Sequence, residues 1–90
     1  MSGLKPGVVT GKDYETLVAS CKAAHYALPA VNVTSTNTIN AVLEAAAKAK
    51  GDVIIQLSNG GAQFYAGQGF PNSSLAKVLG AVSAARHVHM

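Results

Sequence analysis

Few of the 90 residues are equipped for chemistry, and those that are cluster behind two apolar runs. The clearest group is Ser58-Asn59-Gly60-Gly61, which ends the apolar segment "VIIQL" at 53–57. A serine hydroxyl donates and accepts, an asparagine amide offers both functions at two atoms, and glycines let backbone N–H groups approach an anion. The same four residues are also ordinary turn chemistry, and both readings stay open at this point. A second polar exit, Asn32-Val33-Thr34, follows the apolar segment "YALPAVNV" at 26–33.

Other candidates are weaker. Asp13 and Glu15 are two apart on a predicted helix and leave it on different faces. Glu44 belongs to a helix surface, and Asp52 precedes the second apolar run instead of following it. His87 and His89 have a spacing that would converge on a metal from a strand. In a helix they point about 200° apart, and the pattern leading into them is helical. His25 falls at a helix end, where partial positive charge is favoured. Cys21 is the lone cysteine, so an intrachain disulfide is excluded, and its place on an apolar stripe makes it a small core residue. "GQG" at 67–69 lacks the third glycine of a dinucleotide loop, and there is no Walker A sequence.

The elements that position these residues can be read from periodicity. Thr10 with Asp13 is an N-cap pattern. The stripe Tyr14, Leu17, Val18, Cys21 and Ala24 predicts a first helix ending near His25. Residues 26–33 predict a short strand, with Pro29 confined to its start, an edge or a bulge because it has no N–H. "STNT" at 35–38 offers N-caps for a second helix with Ile39, Val42, Leu43, Ala46 and Ala49 inward, and Gly51 is placed for a left-handed cap. The near-continuous apolarity of 53–57 predicts a parallel strand covered on both faces. A loop to about residue 73 precedes a last helix, capped by Ser73 or Ser74, with Leu75, Val78, Leu79 and Val82 on its buried side.

Helix, then β-α-β-α with short connections, predicts an α/β fold with parallel strands. Ligands of such folds bind beyond the carboxyl ends of the strands, which selects Asn32 and Ser58 from topology alone. Two strands leave unpaired edges, and a complete barrel needs about 250 residues. The chain therefore reads as the opening of a barrel.

Composition excludes several classes. At 49% hydrophobic and 12% charged, the chain is globular. Its net charge of +3 comes from scattered cations without interleaved aromatics, unlike a nucleic-acid surface. No stretch reads as membrane-spanning and "MSGLKPG" lacks a secretory pattern, so a cytoplasmic protein is expected.

The segment "ALPAVNVTSTNTINAVLEAAAKAKGDVIIQLSNGGAQFYAGQGF" closely resembles the N-terminal part of class II, metal-dependent fructose-bisphosphate aldolases. The "KPGVVTG" opening and "LGAVSAARHVH" ending fit the same family, so the resemblance covers nearly the whole chain. It implies an N-terminal helix plus the first two βα units of a TIM (βα)8 barrel, with residues 1–90 an N-terminal fragment of one aldolase domain. It implies reversible cleavage of fructose 1,6-bisphosphate to glycerone phosphate and glyceraldehyde 3-phosphate, in glycolysis and gluconeogenesis. It further implies a zinc or other divalent ion that polarises the ketone, and a homodimer when full length. Ser58 matches a family serine that contacts substrate, and Asn32 an asparagine near it; Asn59, Gly60 and Gly61 match the motif as shaping residues. The family's catalytic aspartate and first metal histidine follow the third strand, so its catalytic and metal residues lie beyond residue 90 and the chain alone is expected to be inactive. Two alternatives remain: a short non-catalytic relative that binds a phosphosugar or another subunit, and an aldolase acting on tagatose bisphosphate.

Overall fold

The structure is a computed structural model that describes Leu4 and residues 6–90. The remaining part of the "MSGLKPG" opening lies outside the described residues. The elements follow as α1 (Gly11–Ala24), β1 (Ala30–Asn32), α2 (Thr36–Ala49), β2 (Ile54–Gln56), α3 (Asn59–Ala66) and α4 (Ser73–His89). The order matches the sequence reading except for α3, which lies within the expected loop.

Helix ends are set by backbone and side-chain capping. Thr10 is the N-cap of α1 in extended conformation, but its hydroxyl makes no capping bond; Asp13 N–H closes the first turn on the Thr10 carbonyl at 3.1 Å. At the other end His25 is left-handed, with φ 58°, and Tyr26 N–H bonds the Cys21 carbonyl at 3.1 Å. Helix α2 ends in the same way. Lys50, not Gly51, takes the left-handed conformation (φ 55°), and Gly51 follows it to donate to the Ala46 carbonyl at 3.0 Å. Both are six-to-one closures that satisfy carbonyls the helix leaves open. Next to the first closure, the Tyr26 phenol is held above its ordinary pKa range, chiefly by its hydrogen bond with Cys21.

The strands are shorter than the apolar runs that contain them. They pair in parallel, Ala30 with Ile54, Val31 with Ile55 and Asn32 with Gln56. Pro29 sits just ahead of β1 and contributes only its carbonyl, accepting from Ile54 N–H at 2.8 Å. That is the role a residue without an N–H can fill.

The expectation that both strand faces are covered is not met. Alternation of side chains gives the pair two faces. Ile55 and Leu57 face a small core of Val33, Ile39 and Ala84, joined by Val42, Tyr65 and Val88 from the helices. The other face carries Ile54 and Gln56, both exposed. The helices that contribute to this core cover one face of the pair, and the face carrying Ile54 and Gln56 is exposed.

Helix α4 corrects a second expectation. Its buried residues are Ala76, Gly80 and Ala84, while Leu75, Val78, Leu79 and Val82 are all exposed. The two stripes lie roughly 150° apart at 100° per residue. Side-chain size misleads here, because α4 packs along α3 so closely that only small residues fit. A Cβ on Gly80 would overlap the Ala62 carbonyl oxygen and come within 2.7 Å of its carbon. Its N-cap is Asn72, whose Oδ1 accepts from Leu75 N–H at 3.0 Å, not Ser73 or Ser74.

The accessible surface is 6318 Å² for a 9.1 kDa chain. A compact monomer of that mass exposes about 4,900 Å². Large apolar side chains contribute to that exposed surface, among them Ile54, Phe64, Val78 and Val82.

Candidate functional site

Because the strands are parallel, their carboxyl ends share one side of the sheet. Asn32 is the last residue of β1, and its register partner Gln56 is the last of β2. The pairing puts Asn32 and Gln56 on the same, uncovered face. Gln56 was not singled out from the sequence, because it sits inside an apolar run and only the register reveals its neighbour.

The chain leaves β2 through Leu57 and enters α3 at Ser58, which is the helix N-cap with φ −76° and ψ 166°. Ser58 Oγ accepts from Gly61 N–H at 3.0 Å. A capping serine uses its oxygen as an acceptor, so its O–H remains able to donate. Ser58 and Asn59 are both exposed. The "SNGG" group is therefore a helix start and not a free turn. The anion cradle that its glycines suggested is also modified, since one of their N–H groups is already taken by Ser58.

The two glycines do different work. A Cβ on Gly60 would meet open space. On Gly61 it would lie 3.2 Å from Ser58 Oγ, 3.3 Å from the Val33 carbonyl oxygen and 3.6 Å from the Thr34 methyl. The exit of β1 and the start of α3 thus meet at Gly61, which brings the two strand-end segments selected from sequence into one place.

The exit of β1 is equally well defined. Val33 is fully buried and its N–H continues the ladder to the Gln56 carbonyl at 3.0 Å. Ser35 caps α2, its Oγ accepting from Thr38 N–H at 3.2 Å, while Thr38 Oγ1 accepts from Ser35 N–H at 3.0 Å. This is a reciprocal capping box with threonine in the position usually held by Glu or Gln.

Asn32, Gln56, Ser58 and Asn59 form a neutral polar edge. Such a set can bind and orient a hydroxylated, anionic ligand, but none of its groups titrates near neutral pH. It does not fit a zinc ion, which takes imidazole, thiolate or carboxylate. Among the described residues, no group of three His, Cys, Asp or Glu could hold a metal. His87 and His89 lie on helix α4, and His87 Nε2 is hydrogen-bonded to Asn40 Oδ1 of α2 at 2.9 Å.

A hollow of about 730 Å³ begins at Gly51, Asp52 and Val53 ahead of β2 and runs along Ile55 and Leu57 to Val88. Its lining is mainly aliphatic, which suits apolar packing and not a phosphorylated sugar. The polar edge at the other end of the strands is the better site on chemical grounds.

A parallel β-α-β unit with polar, capped exits at the carboxyl ends of its strands defines part of an α/β enzyme-type fold, in which that end carries the ligand. Comparison with known proteins makes the assignment specific. The family model for fructose-bisphosphate aldolase class-II matches residues 12–90. The chain is 53% identical to the fructose-bisphosphate aldolase of Campylobacter jejuni over 97% of its own length and 24% of that relative's. It is 52% identical to the Escherichia coli K12 fructose-bisphosphate aldolase class 2, over 96% of this chain and 24% of that one. A crystal structure of the Campylobacter jejuni enzyme superimposes on 96% of this chain and 24% of the other, with a TM-score of 0.86. The chain belongs to the class II fructose-bisphosphate aldolase family. It spans about a quarter of the length of the curated relatives it matches.

Proposed function

We propose that residues 1–90 are the amino-terminal part of a single (βα)8 barrel domain that reversibly cleaves fructose 1,6-bisphosphate to glycerone phosphate and glyceraldehyde 3-phosphate. The observation that carries the reading is the meeting of the β1 exit with the α3 start at Gly61, which sets Asn32 and Ser58 on one accessible polar edge. The open face of the sheet and the uncovered stripe of Leu75, Val78, Leu79 and Val82 also support it, since both need further protein against them. That protein is the rest of the barrel together with the second subunit of a homodimer. No helix among the described residues is long and apolar enough to cross a membrane; the cytoplasmic location belongs to the proposed aldolase reading.

In this reading Ser58 donates its free O–H to the substrate, and the Asn32 amide orients a sugar hydroxyl or phosphate oxygen beside it. Cleavage of the C3–C4 bond requires a base for the C4 hydroxyl proton and stabilisation of the enediolate left behind. The neutral groups of this edge do neither, so they bind and orient. A zinc or other divalent ion would supply Lewis-acid stabilisation from ligands outside this chain.

The test is Ser58→Ala in the full-length, metal-loaded enzyme. Loss of one hydrogen bond to a charged substrate is worth about 1.5–3 kcal/mol, so kcat/KM should fall roughly ten- to a hundredfold. Metal content should not change. A loss of bound metal would contradict the role given to Ser58, and an unchanged kcat/KM would remove it from the site. Parallel assays with tagatose bisphosphate separate the two ketose substrates.

A further inference from the structure

The polar edge depends on where β1 ends, and the hydrogen bonds there converge on one side chain that faces no ligand. After Val33 the backbone leaves the ladder, and the next two N–H groups, of Thr34 and Ser35, have no strand to donate to. Both donate to Thr38 Oγ1, each at 3.0 Å. The Thr38 hydroxyl proton goes to the Ser35 carbonyl at 2.8 Å. One hydroxyl thus accepts twice and donates once, which is its full capacity.

Building on the proposed aldolase function, we infer that Thr38 is a positioning residue for the phosphosugar site. Its hydroxyl fixes the exit of β1 and thereby sets where Asn32 is presented. Asn32 is held between two constraints. On one side is its pairing with Gln56, continued by Val33 N–H; on the other is the Thr38 clasp two residues downstream. Because the Val33 carbonyl and the Thr34 methyl form the seat of Gly61, the clasp also fixes the surface against which the Ser58 turn rests. Thr38 itself is the third residue of α2, so that helix anchors both site segments through one side chain. Simple capping of α2 requires only that Ser35 Oγ accept from Thr38 N–H, a bond that does not involve the Thr38 hydroxyl at all. The additional bond to Thr34 N–H reaches outside the helix cap, toward the strand.

The experiment compares Thr38→Val, Thr38→Ala and Thr38→Ser in the full-length, metal-loaded enzyme. The first removes the hydroxyl at nearly constant shape, the second does so while keeping a good helix former, and the third retains the hydroxyl. For Val and Ala we expect faster amide exchange at Thr34 and Ser35. KM for fructose 1,6-bisphosphate should rise about tenfold, with a smaller change in kcat, and Ser should stay within about twofold of wild type. Faster exchange at both amides with wild-type KM would overturn the inference, as would a Ser variant as impaired as Val. A wild-type enzyme that does not cleave the bisphosphate would overturn the functional reading and this inference with it. Cleavage by wild type with an indifferent Thr38→Val would overturn the inference alone.

Discussion

The two strand exits use the same device to different ends. Each strand is followed by a serine that caps the next helix, Ser35 after β1 and Ser58 after β2. At the first exit the cap is reciprocated, because the residue three positions on is Thr38, whose hydroxyl returns a bond to Ser35 N–H. At the second, the residue three positions on is Gly61, which has no side chain to return anything. The first turn closes on itself; the second keeps an exposed serine proton unused. A turn that has satisfied its own polar groups can hold a neighbour in place, whereas one with spare capacity can bind. The difference between Thr38 and Gly61 separates a reciprocally capped turn from one that is not.

The largest change to this comparison would come from Gly80→Ala. The added methyl would collide with the Ala62 backbone, which cannot swing away as a side chain can. Alanine gains about 1 kcal/mol of helix propensity over glycine, but forced separation of α3 from α4 opposes this with roughly 3 kcal/mol. Helix α3 and Ser58 should shift while the Ser35 turn, held by α2, stays in place. Thermal denaturation should show a clear drop in Tm. Exchange should quicken across 58–66 and remain slow at Thr34 and Ser35. An unaltered Tm would mean that α3 and α4 do not pack as closely as described.

A smaller effect is expected from Gly61→Ala, and it should fall on binding more than on folding. Here the new Cβ meets Ser58 Oγ at 3.2 Å and the Val33 carbonyl at 3.3 Å, so each neighbour need yield only slightly. Gain in helix propensity offsets much of that strain, leaving stability within about 1 kcal/mol of wild type. The displaced Ser58 hydroxyl should raise KM for the bisphosphate about fivefold. Equal KM values would show that the close contact at Gly61 does not govern Ser58. The same substitution at Gly60, which faces open space, is the control.

What could be read from the sequence follows the same division. The positions of Asn32 and Ser58 at the strand exits were legible because β-α alternation alone fixes which end of a parallel strand they follow. Helix α2 was legible because an N-cap serine, an apolar stripe and a glycine past its end mark its extent. Only Ile39 of that stripe is fully buried, however; Leu43 and Ala49 are exposed, and Lys50 takes the left-handed cap in place of Gly51. Helix α3 was not, since Ser-Asn-Gly-Gly carries two residues that disfavour helices, and packing against α4 outweighs that local preference. The inward face of α4 was read backwards for a related reason. Size marks the large residues as core, yet the close approach of α3 requires glycine at Gly80, and the small Ala84 packs in the core with Val33 and Ile39. The large residues Leu75, Val78, Leu79 and Val82 form an exposed apolar stripe instead. Gln56 was hidden because its importance comes from register with Asn32, a relation between distant segments that no local pattern carries.

The finest test of the comparison is Ser35→Ala. It removes the acceptor for Thr38 N–H and the 3.3 Å contact between the two hydroxyls, but leaves the Thr38 hydroxyl with its bonds to Thr34 N–H, Ser35 N–H and the Ser35 carbonyl. Loss of a capping serine costs about 1 kcal/mol, so Tm should fall by a few degrees. If holding and binding are separate, KM for the bisphosphate should remain within about twofold of wild type, because the clasp that fixes the β1 exit survives. A fall in Tm accompanied by a large rise in KM would show that the cap and the clasp are one unit, and that helix α2 positions Asn32 through its whole first turn instead of through Thr38.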